Sequence, residues 1–327
     1  MIVDKLFDAV AMRGPVCVGL DTALEYLPEK FRAGFDDPGE ALFQFNRRIV
    51  DATAPSCACF KLQIAYYEAL GLEGLRAYAR TLRYIRGKGC IVIADIKRGD
   101  IAATAQMYAR AHFEGEFEAD YVTLSPYMGM DSIEPWLPWV QDHEKGLFVL
   151  IRTSNPGAVD IQYLEQKSGA RVYTEVGRRV AELGAHTIGT CGYSSVGGVV
   201  GCTHVEEAQA LRQQLNTVFF LVPGYGAQGG TAADVALYLT HGNGGIVNSS
   251  RGILLAWKKR EDGSTPQKHP SHGNKVLGGL EEHLASWTKG CEGQKGSGGA
   301  AHFDSCAAAE VERMRADIVS AVAAVPK

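Results

Sequence analysis

Eight short apolar runs, each followed by a helical pattern, recur along the chain, and this rhythm limits the possible folds more than any other feature. The runs are residues 15–21 (PVCVGLD), 58–63 (ACFKLQ), 90–97 (CIVIADIK), 120–126 (DYVTLSP), 147–154 (LFVLIRTS), 197–203 (GGVVGCT), 217–224 (TVFFLVPG) and 244–250 (GGIVNSS). Most are apolar nearly throughout, as strands of a parallel sheet covered on both faces must be. Helical periodicity fills the gaps, clearest over 39–52, 66–86, 131–144, 170–186, 204–215 and 230–241, and a last helix is expected over 305–325. Two helices carry capping boxes, Thr203 with Glu206 and Thr231 with Asp234. Eight β–α alternations in 327 residues point to the α/β class and a single (β/α)8 TIM barrel, although an open sheet covered on both faces gives a similar pattern.

One segment breaks the rhythm. Residues 261–303 are rich in Gly, Ser, Lys and His, with a short helical pattern near 278–288, and fall between strand eight and the last helix. The chain is therefore expected to be one barrel domain, 1–327, with a flexible insertion at 261–303. That insertion reads either as a surface loop or as a lid or partner contact on the C-terminal face of the barrel, where active sites lie.

A net charge of −4 argues against nucleic acid as a partner, since a phosphate backbone calls for a marked excess of Lys and Arg. A small anionic ligand needs only a few local cations. The first residues, MIVDKLFDAVAMRG, form an amphipathic pattern with acids inside it rather than a secretory signal, and no apolar stretch reaches the ~18 residues of a membrane span. Cys17, Cys59, Cys90 and Cys202 lie in strand-like runs and read as buried thiols of a reducing compartment, which suggests the cytoplasm.

The segment IVIADIKRGDIAAT (91–104) carries the strongest chemical signal. Alternate residues of a strand share a face, so Asp95 and Lys97 continue the stripe of Ile91 and Ile93. Two ionisable groups ending an apolar stripe are costly to bury unless they pair. A structural ion pair followed by a helix-capping Asp100 would satisfy the same residues. Other strand ends weigh against that bland reading: Asp21 ends strand one, Lys61 and Gln63 share a face of strand two, Ser154 ends strand five, and Arg251 follows strand eight. In a closed barrel these groups converge on one mouth.

The segment VPGYGAQGGTAAD (222–234) contains a formal GxGxxG at Gly224, Gly226 and Gly229. A dinucleotide fingerprint would need an acidic residue about twenty positions on. The chain has NGGIVNSSRG there, so a nicotinamide cofactor is rejected. A glycine loop running into a helix still reads as a phosphate cradle made of backbone N–H groups, with Gln228 and Arg251 as side-chain partners. A plain glycine turn with a surface arginine is the alternative. His269, His272, His283 and Cys291 lack a standard ligand spacing, and no metal is expected.

The stretches VGLD (18–21), FKLQIAYYEALG (60–71), IADIKRGDIAATA (93–105), SPYMGMDS (125–132), RTSNPGAVDIQ (152–162), VPGYGAQGG (222–230) and NSSRGI (248–253) together resemble the orotidine 5′-monophosphate decarboxylases, most closely the bacterial-type subfamily. The resemblance covers residues 16–253 and resumes in the last helix. It implies a cofactor-free carboxy-lyase converting orotidine 5′-monophosphate to UMP and CO2, the last step of pyrimidine nucleotide synthesis. It also implies a homodimer with shared active sites. By motif, Lys61, Asp95 and Lys97 would come from one subunit, and Asp100 and Thr104 from the other. Asp21 and Gln63 would bind the ribose, Ser154 the pyrimidine, and Gln228 and Arg251 the phosphate. Two features depart from the family: the 261–303 insertion, and Cys202 where a smaller Ala is usual. The rival readings are a metal-dependent sugar-phosphate decarboxylase or aldolase sharing Asp-x-Lys-x-x-Asp, and a non-catalytic barrel that binds a phosphometabolite.

Overall fold

The computed structural model describes residues 1–203, 205–261 and 302–325. All eight expected strands form, as β1 Val16–Gly19, β2 Cys59–Gln63, β3 Ile91–Arg98, β4 Tyr121–Leu124, β5 Gly146–Arg152, β6 Ser194–Val200, β7 Val218–Pro223 and β8 Gly245–Ser249. Each pairs in parallel with the next, and β8 closes on β1, giving a closed barrel in sequence order. The chain is thus a (β/α)8 barrel, as the alternation predicts.

Strand alternation divides the apolar residues into two cores. Val18, Phe60, Leu62, Val92, Ala94, Val122, Leu124, Leu147 and Val149 face outward against the helices. Cys17, Cys59, Ile91, Ile93, Tyr121, Phe148, Phe219 and Ile246 fill the barrel interior, with Tyr121 and Phe148 stacked at 4.9 Å. The N-terminal helix Ile2–Arg13 caps the lower end of that interior with Ile2, Val3 and Leu6. The opposite end, at the C-termini of the strands, is left open to chemistry.

Helix boundaries depart from the periodicity where local chemistry intervenes. The pattern over 66–86 splits into Ile64–Glu68 and Gly71–Gly87, because Gly71 takes a positive φ of 62° that ends the first helix. The pattern over 131–144 breaks into 3₁₀ turns and a short helix, Leu137–Asp142, around Pro135 and Pro138. Only Ala232–Ala236 of 230–241 is helical; its capping box of Thr231 and Asp234 forms as expected. The box expected at Thr203 and Glu206 does not. That helix runs Ala208–Gln214 with Glu207 at its N-cap, while the Thr203 hydroxyl donates to the Ser154 carbonyl at 3.5 Å. Cys17, Cys59 and Cys202 are buried, but Cys90 is only half-buried. The last helix, Phe303–Ala324, packs along Pro38–Thr53 and stacks Phe303 on Phe45 at 4.5 Å. Most of the expected insertion, including the pattern near 278–288, His269, His272, His283 and Cys291, lies outside the described residues.

Candidate active site

The stripe that fills the barrel with apolar groups turns polar at its upper end. Going up each strand by two residues, Cys59 is followed by Lys61, Ile93 by Asp95 and Lys97, Tyr121 by Thr123, and Ile246 by Asn248. These side chains join into one hydrogen-bonded chain. Lys61 Nζ donates to Asp21 Oδ1 and to Asp95 Oδ2, both at 2.9 Å. The other Asp95 oxygen, Oδ1, accepts from Lys97 Nζ at 2.6 Å and from the Thr123 hydroxyl at 2.8 Å. At the far end, the Ser250 hydroxyl donates to Asp21 Oδ2 at 2.8 Å, and Asn248 Nδ2 approaches Ser250 at 3.4 Å.

Burial is graded along this chain. Lys61 and Asp95 are almost fully buried, whereas 44% of the Lys97 side chain is exposed. Burial alone would drive Lys61 toward the neutral amine, but the Asp21 and Asp95 carboxylates outweigh it and hold its pKa well above the ordinary lysine range. Burial likewise opposes the Asp95 charge, and Lys61 and Lys97 reverse that, holding Asp95 below the usual carboxylate range. In an alternating carboxylate–ammonium row of this kind, Lys61 and Asp95 stay charged despite burial because their neighbours offset them. Removing one partner of such a buried pair costs about 3–5 kcal/mol, since it leaves an uncompensated charge.

Backbone geometry aims Lys97. Ala94 pairs with Val122 and Arg98 with Leu124, so β3 uses four residues where β4 uses two. Inside this bulge Lys97 sits at φ 45°, a left-handed conformation rare for a side-chain-bearing residue. The glycine of VGLD has a steric reason as well. A Cβ on Gly19 would stand 1.9 Å from the Ser250 hydroxyl, so any other residue would displace the group that holds Asp21.

The loop side of the mouth is arranged differently. Ser154, just beyond β5, donates to Gln228 Oε1 at 2.6 Å, linking the TSNPGA stretch to the glycine loop. Fully buried Arg152 anchors that stretch, donating to Glu207 at 3.0 Å and to the Gly201 carbonyl at 3.0 Å. The glycine loop departs from the cradle expected of it. The N–H groups of Gly226, Ala227, Gly229 and Gly230 are taken up by carbonyls of the loop itself. Cys202 lies beneath, so that a Cβ on Gly230 would stand 2.3 Å from its sulfur. Arg251 is exposed at the start of Arg251–Leu254, and its side chain makes no hydrogen bond or ion pair among the described residues.

The structure thus brings Asp21, Lys61, Asp95 and Lys97 into one chain and Ser154 against Gln228. It does not bring Gln63, Asp100, Thr104 or Arg251 into hydrogen-bonding contact with either group. Gln63 instead caps Ile64–Glu68 weakly, accepting from the Ala65 N–H at 3.4 Å. Asp100 is not a helix cap: the helix Ala102–Phe113 has Ile101 at its N-cap, and among the described residues the Asp100 carboxylate accepts only from the adjacent Ile101 N–H. Thr104 is exposed on that helix. Reasoning from charge missed Thr123, Asn248, Ser250 and Arg152. The signal for the first two was present, since both continue an inward stripe by two residues, but a neutral side chain at a strand end does not stand out as a charged one does.

Comparison with known proteins agrees with this geometry. The family model for the orotidine 5′-phosphate decarboxylase / HUMPS family matches residues 14–265. The chain is 63% identical over 262 residues to an orotidine 5′-phosphate decarboxylase of Clostridium perfringens strain SM101, covering 80% of this chain and 91% of that one. It is 61% identical over 263 residues to the Clostridium kluyveri protein of the same name, covering 80% and 90%. Among solved structures, Leishmania donovani OMP decarboxylase superposes with a TM-score of 0.65 at 31% identity, over 77% of this chain and 90% of that one. Barrel, charged row and sequence likeness converge, and the chain belongs to the orotidine 5′-phosphate decarboxylase / HUMPS family.

Proposed function

We propose that this protein decarboxylates orotidine 5′-monophosphate to UMP and CO2, with Lys97 as the proton donor. The observation that carries the reading is the buried Asp21–Lys61–Asp95–Lys97 row, whose only substantially exposed member is the terminal ammonium. The 57–63% identity to clostridial proteins named as orotidine 5′-phosphate decarboxylases supports the substrate and favours it over the sugar-phosphate and non-catalytic alternatives.

Breaking the C6–carboxylate bond releases CO2 and leaves the electron pair in the plane of the ring, where the π system cannot spread it. Fixed positive charge beside C6 then lowers the barrier directly. The Lys97 ammonium stabilises that pair and delivers its proton to C6, giving UMP; the amine regains a proton from water. Asp95 holds the ammonium in place. Asp21 and Gln63 face the ribose, Ser154 the pyrimidine, and Gln228 and Arg251 the phosphate. Binding the remote phosphate supplies the free energy that rearranges the glycine loop around the ligand.

The site is completed by a second subunit in this reading. Asp100 makes no hydrogen bond or ion pair with Lys97 of its own chain, and Ile101 next to it in sequence, like Met107, Tyr127 and Met128, is an exposed apolar group, the four being 43–78% accessible. A two-fold homodimer burying this face brings Asp100 and Thr104 to the partner's substrate. The remaining readings are one barrel domain with an insertion at 261–303, and residence in the cytoplasm, which the free thiols of Cys17, Cys57, Cys59, Cys90, Cys191 and Cys202 favour.

Incubation with orotidine 5′-monophosphate in the presence of EDTA tests the reaction. Loss of the orotate absorbance with release of UMP is expected. No turnover, or turnover abolished by the chelator, overturns the reading.

A further inference from the structure

We propose that Thr123 is a positioning residue for this reaction, one hydroxyl that fixes both ends of Lys97; the proposal rests on the functional reading above. The Lys97 backbone N–H donates to Thr123 Oγ1 at 3.0 Å, the same hydroxyl donates to Asp95 Oδ1 at 2.8 Å, and that oxygen receives the Lys97 ammonium at 2.6 Å. The contacts close a ring from the main chain of Lys97 round to its own Nζ. Their directions are fixed: an amide can only donate and an ionised carboxylate can only accept, so the Thr123 proton must point at Asp95. Thr123 itself is 1% exposed, which shields the ring from competing water.

The ring falls where the backbone most needs it. The β3–β4 ladder is interrupted between Ala94 and Arg98, and Lys97 stands at φ 45°. Such a conformation persists only where the surroundings over-determine it. The hydroxyl takes up an N–H that the bulge removes from regular pairing, and so ties the bulge to the carboxylate that orients the ammonium. Thr123 touches no group assigned to ribose or phosphate, so its role belongs to placing the proton donor rather than to holding the ligand.

Thr123→Val keeps the shape and removes both hydrogen bonds. Losing hydrogen bonds to charged and strained partners, worth about 1.5–3 kcal/mol, corresponds to a fall in kcat of about tenfold to a hundredfold. KM for orotidine 5′-monophosphate is expected to stay within about threefold, because ground-state binding is untouched. Thr123→Ser keeps the hydroxyl and recovers most of the kcat. Should Thr123→Val fail to fold by thermal melting, Thr123→Ala removes the hydroxyl without setting a methyl against Asp95 Oδ1 and carries the same expectation. The inference is overturned by a hydroxyl-free variant with kcat within twofold of wild type, by a loss confined to KM, or by a Ser variant as impaired as the hydroxyl-free one. Wild-type protein assayed alongside separates the two levels: active wild type with an unaffected variant sinks the role of Thr123 alone, whereas inactive wild type sinks the functional reading and this inference with it.

Discussion

On one side of the barrel mouth, Lys61 and Asp95 are sealed from water and every polar atom of the Asp21–Lys61–Asp95–Lys97 row has a charged or hydroxyl partner already in place. On the loops beyond β7 and β8, Gln228 and Arg251 stand exposed, and the glycine loop spends four of its N–H groups on its own carbonyls. The first arrangement needs no reorganisation when charge develops on a substrate, which is what makes electrostatic catalysis effective. The second must exchange internal hydrogen bonds for ligand contacts, and its free energy is therefore available to couple binding to closure. Rigid chemistry on strands and a rearranging grip on loops is the division that a barrel permits, because strands are fixed by their neighbours on both sides and loops are not.

The sharpest way to break this comparison is at Lys97. Lys97→Ala should abolish decarboxylation while leaving phosphate-dependent nucleotide binding largely intact, because the grip lies on the loops beyond β7 and β8 and shares no hydrogen bond with Lys97. Steady-state turnover and equilibrium UMP binding check the two halves separately. Turnover retained at more than a small fraction of wild type would remove Lys97 as proton donor, and loss of UMP binding to the same extent would mean that the two sides are not independent.

A second test asks whether the rigid side is complete within one chain. Asp100→Ala and Lys97→Ala proteins should each be inactive alone. In a mixed dimer one site receives Lys97 from its own chain and an intact Asp100 from its neighbour, and the other site lacks both. Random exchange gives about half mixed dimers with one good site each, so activity should return to roughly a quarter of wild type. No recovery after exchange has been verified by native mass spectrometry would assign Asp100 to its own chain.

Much of this was legible in the sequence, for identifiable reasons. Apolar runs bounded by polar strand ends located all eight strands to within a few residues, since burial on both faces leaves no other pattern. The period of two put Lys61, Asp95 and Lys97 on the inward stripe. The alternation could not reveal the bulge, because two extra residues in β3 preserve the face of Lys97 while changing its φ. Nor could it show that the glycine loop closes on itself, since glycine spacing permits a cradle and a self-bonded turn alike. Helix ends were lost where proline or a left-handed glycine overruled amphipathic periodicity, at Pro135, Pro138 and Gly71. Ser250 stayed hidden because its weight comes from a partner beyond another strand, and Thr123, though on the inward stripe, carries no charge to mark it before its partners are known.

The smallest of these effects lies on the rearranging side, at Arg251. Its guanidinium has no hydrogen-bond or ion-pair partner to lose among the described residues, so Arg251→Ala should leave folding stability nearly unchanged, as an exposed substitution usually does. What it removes is a bidentate clamp on the substrate phosphate. The expected loss in kcat/KM for orotidine 5′-monophosphate is about 2–4 kcal/mol, the range for deleting a charged partner at a bound site. Orotidine, which has no phosphate, offers nothing for Arg251 to grip, so the same variant should process it about as poorly as wild type does. The ratio of the two losses is the informative quantity. A large loss for the phosphorylated substrate with almost none for orotidine would mean that Arg251 acts through the phosphate alone. Equal losses for both would place its effect in the charged row instead, and the separation between a rigid catalytic side and a rearranging gripping side would fail at the residue where it is easiest to measure.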